Sequence, residues 1–98
     1  MDFEFSWKFK DFEIRTIKSN VDNHPYIELV QWNQNDSGRR SCFVLAYFRR
    51  DKDGSYELHF VGDRPLRYIA EIDIGEIWNQ LWLAQQMFED AERKLRDD

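Results

Sequence analysis

The sequence predicts an α+β fold, an antiparallel sheet of four to six strands with one long C-terminal helix packed across one face. Three observations carry that expectation. Apolar and polar residues alternate through the first ten positions, MDFEFSWKFK. Two β-rich runs, SCFVLAYFRR and SYELHFVG, flank DKDG. From Ile74 to Leu95, apolar residues recur at alternating spacings of three and four. A chain of 98 residues fits one domain over 1–98, with the sheet at about 2–72 and the helix at about 74–96.

Phe3, Phe5, Trp7 and Phe9 alternate with Asp2, Glu4, Ser6, Lys8 and Lys10, the period of a strand with one face buried. After Lys10-Asp11 the phase shifts to Phe12, Ile14 and Thr16. A bulge or bend is expected there rather than a tight turn, because Lys-Asp lacks the Gly or Asn that two-residue turns prefer. Asp22-Asn23-His24-Pro25 is turn chemistry, a strand covers Tyr26–Trp32, and Asn33–Gly38 forms a polar loop.

Asp51-Lys52-Asp53-Gly54 suits a type I turn with Gly54 left-handed. The register expected from it sets Arg50 opposite Ser55, Arg49 opposite Tyr56, Tyr47 opposite Leu58, and His59 opposite Ala46. Asp63-Arg64-Pro65 ends the hairpin, and residues 67–72 read as a short edge strand or extended approach. Asp73 is placed to cap the helix, with Glu76 three residues on as in a capping box.

The helix is more apolar than one buried stripe requires. Ile74, Ile77, Leu81, Ala84, Phe88, Ala91 and Leu95 form the stripe. On a helical wheel Trp78 falls at its edge, Trp82 well off one side and Met87 about as far off the other. Leu83 lands amid Glu76, Asn79, Gln86, Asp90 and Lys94. Two explanations stand. The sheet or the Phe3–Phe9 strand covers these side chains, or Trp78, Trp82, Leu83 and Met87 form an interface, where tryptophan is enriched. A two-fold homodimer is the simplest form of such an interface.

Charge is distributed unevenly. Net charge is -5, and residues 1–70 balance 11 acidic against 11 basic side chains. Residues 71–98 carry 8 acidic and 3 basic, so the excess belongs to the last segment. The tail acids Glu89, Asp90, Glu92, Asp97 and Asp98 are expected to be solvated or to meet a basic partner.

Reactive-site patterns are missing. Cys42 and His59 are too far apart along the expected hairpin for a nucleophile–base pair. His24, Cys42 and His59 lack the paired spacing of zinc ligands, and Asp51-x-Asp53-Gly54 departs from the calcium-loop pattern. The four glycines are too scattered for a phosphate loop. No cofactor and no enzymatic activity are expected. The start has no basic-then-apolar signal pattern, no apolar run spans a bilayer, and one cysteine fits a reducing compartment, which together suggest a cytoplasmic protein.

A basic middle supplies the alternative. Arg39, Arg40, Arg49, Arg50, Arg64 and Arg67 are interleaved with Phe43, Tyr47, Phe48 and Tyr68, the ingredients of single-strand nucleic-acid binding. A sheet followed by one helix also resembles the layout of PUR and Whirly-type single-strand binders, a likeness of layout that rests on no motif. Overall acidity weighs against it. The leading expectation is a small non-enzymatic interaction module that self-associates. Its compact, aromatic-rich, acidic composition resembles that of phage or mobile-element accessory and inhibitor proteins.

Overall fold

The computed structural model describes residues 3–62 and 71–97. Five strands, β1 (Ser6–Phe9), β2 (Phe12–Lys18), β3 (Pro25–Gln34), β4 (Arg40–Arg50) and β5 (Tyr56–Phe60), precede one helix, α1 (Glu71–Asp97). The strands form one antiparallel meander in chain order. The α+β architecture read from the sequence is therefore the architecture of the chain. Expected features at 63–70, including Arg64 and Arg67, lie outside the described residues, while residues 71 and 72, expected to end a strand or extended approach, are the start of α1.

β1 and β2 are joined by a tight two-residue turn, not the expected bulge, with Phe9 opposite Phe12. Lys10 accepts a left-handed φ of 54°. Tertiary contacts offset that cost: the Lys10 ammonium bonds both Asp73 carboxylate oxygens at 2.8 and 3.0 Å, and the Trp32 amide donates to the Asp11 carbonyl at 2.7 Å. A bulge does occur, one strand later. Leu29 faces Ala46 and Val30 faces Val44, so Leu45 is the extra residue. It lets both Leu45 and Ala46 join the core.

The β4–β5 hairpin turns as expected but pairs one residue differently. The Gly54 amide donates to the Asp51 carbonyl, the Asp51 amide donates to the Ser55 carbonyl, and Gly54 has φ 88°. Asp51 thus opposes Ser55, leaving a three-residue loop, and the pairs become Arg50–Tyr56, Arg49–Glu57, Phe48–Leu58 and Tyr47–His59. A one-residue change moves a strand's side chains to the opposite face. Tyr56 and Leu58 therefore join Phe48 beneath the helix, whereas His59 joins Tyr47 on the open face.

The core lies between α1 and one sheet face. Phe12, Ile14, Ile27, Leu29, Leu45, Ala46 and Phe48 meet Ile77, Leu81, Ala84 and Phe88. Phe88 is the hub, edge-on to Phe3, Phe48 and Tyr56 at centroid distances of 5.3, 5.9 and 6.2 Å. Ionic contacts fix the helix at both ends. Asp73 meets Lys10 at the β1–β2 turn, and Glu92 meets His24 and Tyr56 at the opposite end of the sheet. The helix begins at Glu71, so Asp73 sits inside its first turn and serves as a buried anchor rather than the expected cap. Leu95, one turn past Glu92, is exposed because α1 runs past the sheet end. Among the described residues no helix is long and apolar enough to cross a membrane.

Candidate interaction surface on the helix

The helix stripe explains which side chains are left outside. With about 100° between successive residues, Ile77, Leu81, Ala84 and Phe88 cluster on the sheet-facing arc. Trp82 and Leu83 lie more than a quarter turn from its centre and Met87 about a quarter turn, outside the arc that packs on the sheet. They remain 62%, 43% and 44% exposed. Trp78, at the edge of the stripe, is half-buried and packs edge-on against Phe60 at 5.8 Å. The N-terminal strand covers part of the core: Phe3 is buried and Phe5 and Trp7 are half-buried against it. It leaves the outward arc of α1 open. The three exposed side chains present roughly 300 Å² of apolar surface, the size of the largest patch on an ordinary monomer.

Glu92 was the most misleading residue in the sequence. It is only 2% exposed and belongs to the interior, not to an acidic surface. The Tyr56 hydroxyl donates to its Oε2 at 2.6 Å, His24 Nε2 bonds its Oε1, and Arg50 Nη1 lies 3.9 Å away. Burial first, and then the hydrogen bond to Glu92, pushes the Tyr56 phenol above its usual value of 10.0. Helical spacing contained the signal: Glu92 is four residues beyond Phe88, on the stripe itself.

The open sheet face carries a second set of polar and aromatic groups. Arg15 reaches Glu28 at 3.3 Å, Tyr26 donates to the same carboxylate, and Trp32 donates to Glu13. Burial and then the charge of Glu28 raise the Tyr26 phenol. Arg15 and Arg40 both lie over the Trp32 ring, at 5.8 and 4.8 Å. A groove of about 1130 Å³ opens at one end of this face, between the 19–24 turn and the β4–β5 hairpin.

The four described candidate arginines do not converge. Arg39 and Arg40 stand at one end of β4 and Arg49 and Arg50 at the other. Arg49 lies over Tyr47, pairs with Asp51 and stands opposite Glu57 rather than the expected Tyr56, and Arg50 turns toward Glu92 on the helix side. No continuous cationic track forms among the described residues.

The reactive side chains are likewise dispersed. Cys42 pairs across from Trp32 and touches Arg15, while His59 stacks on Tyr47 at 4.9 Å. The corrected register does bring Asp51, Glu57 and His59 together, with ligand atoms within 4.8 Å of one another. Those distances suit a divalent cation, although the His59–Asp51 and Arg49–Asp51 contacts already balance charge there. Sequence spacing concealed this group because it depends on the hairpin register. Comparison with protein families, curated proteins and solved structures found no match for this chain.

Proposed function

We propose that the protein is a small non-enzymatic interaction module that self-associates through the outward arc of α1. The observation supporting this reading is the exposure of Trp82, Leu83 and Met87 midway along a helix whose other face is well packed. Large apolar side chains grouped on a surface favour association, and tryptophan ranks highest among residues that dominate interface energies. Covering the Trp and Leu would contribute several kcal/mol at roughly 25 cal/mol per Å². The basic residues give a second reading, a single-strand nucleic-acid binder, less support, because the described arginines divide between two ends and two faces.

Light scattering of the wild type beside a Trp82→Ala/Leu83→Ser variant tests the proposal. The wild type is expected to gain apparent mass with concentration while the variant remains monomeric. A variant that associates as strongly as the wild type removes the α1 surface from consideration.

A further inference from the structure

We propose that the β4–β5 hairpin carries a zinc-binding site, formed by Asp51, Glu57 and His59 on the open sheet face, away from α1. These side chains place one ligand atom each within 4.8 Å of one another, and no other three His, Cys, Asp or Glu side chains do so among the described residues. The hairpin register makes the group. Glu57 and His59 are two positions apart on β5, so both project from one face, and Asp51 closes the loop that joins β4 to β5.

Two of the three ligands are held in place before any ion arrives. Asp51 is fixed through its backbone, whose amide donates to the Ser55 carbonyl at 2.7 Å and whose carbonyl accepts from the Gly54 amide at 2.9 Å. The His59 ring lies against Tyr47, with centroids 4.9 Å apart and planes 19° from parallel. Its Nε2 faces both carboxylates, 3.2 Å from Asp51 Oδ1 and 4.0 Å from Glu57 Oε2. Donors at zinc bond lengths from a tetrahedral ion stand about 3.3 Å apart. The His59–Asp51 edge already has that length. Glu57, with its side chain exposed, is the arm that closes the remaining ~0.7 Å. With the ring proton on Nδ1, Nε2 donates its lone pair to the ion. Water fills the fourth position, as in zinc sites with three protein ligands. The donor set selects the ion: one imidazole with two carboxylates suits zinc and its late first-row neighbours, whereas calcium and magnesium take shells built from oxygen. Arg49, whose Nε lies 3.4 Å from Asp51 Oδ1, competes with the ion for that carboxylate.

Isothermal titration calorimetry of the full chain with zinc chloride tests the site. Wild type and Cys42→Ser should each bind one zinc ion per chain, and calcium chloride at the same concentrations should give no binding. His59→Ala and Glu57→Gln should each weaken zinc binding about tenfold or more, because each removes a ligand. Glu57→Gln alters an exposed side chain, so a loss there reports the ligand and not the fold. Arg49→Gln should instead tighten zinc binding about threefold, the scale of one exposed ion pair. A wild type that takes up no zinc, or calcium bound as tightly as zinc, overturns the proposal. So does unchanged affinity in either ligand variant, weaker binding in Arg49→Gln, or loss of binding in Cys42→Ser.

Discussion

Glu92 brings a carboxylate into the contact between helix and sheet, and its neighbours decide what that costs. A buried charge is tolerated when its oxygens are satisfied, and here a phenol, an imidazole and a guanidinium surround it. Glu92→Ala should therefore lower unfolding free energy by about 2–4 kcal/mol, since it strands polar partners as well as losing its own bonds. Glu89→Ala, three residues away and outside this cluster, should change stability by less than about 0.5 kcal/mol. Urea titration of both variants compares them directly. Tyr56 adds a pH dependence. Its phenol titrates above its unfolded value of 10.0, so its contribution is complete below pH 10 and is lost as pH rises through the folded value. Tyr56→Phe should flatten that alkaline loss of stability, measured by melts at rising pH. Composition indicates that residues 71–98 are acidic, but not which acid turns inward. Only the position on the stripe distinguishes Glu92 from Glu89.

At the scale of elements, periodicity was the readable signal and register the unreadable one. The alternation of Trp7 and Phe9 and the three-four spacing from Ile74 are physical consequences of strand and helix geometry; the helix formed where it was expected, whereas the first strand is confined to Ser6–Phe9, shorter than the alternation from Phe3 suggested. The turn at Asp51–Gly54 was legible as a turn. Its pairing depends on whether Arg50 or Asp51 closes the loop, a difference that no residue type announces. Gly54 has φ 88° with nothing within 4 Å of an added Cβ, so Gly54→Ala should cost about 1–2 kcal/mol through backbone strain alone. Lys10 shows why a propensity-based reading of the first turn failed. A distant carboxylate, Asp73, holds the left-handed backbone in place. Lys10→Gly should lose about 1 kcal/mol in the native background, as removal of the cation from Asp73 outweighs relief of the left-handed conformation. In an Asp73→Ala background the same substitution should stabilise, and a double-mutant cycle reads that reversal of sign.

The whole molecule resolves the excess of apolar residues on α1 by dividing it. One sheet face accommodates Ile77, Leu81, Ala84 and Phe88, and Phe60 takes part of Trp78, while Trp82, Leu83 and Met87 stay outside. The wheel positions made that division legible from sequence. The polar clusters at Glu92 and around Asp51 were not, because they join residues brought together only by the fold. Exposure of these three side chains separates stability from association: Trp82→Ala/Leu83→Ser should change monomer stability by less than about 1 kcal/mol. The most direct test of the central claim is sedimentation equilibrium of the wild-type chain from micromolar to millimolar concentration. Self-association through α1 predicts an apparent mass that rises toward twice the monomer value. A mass fixed at the monomer value across that range would contradict it.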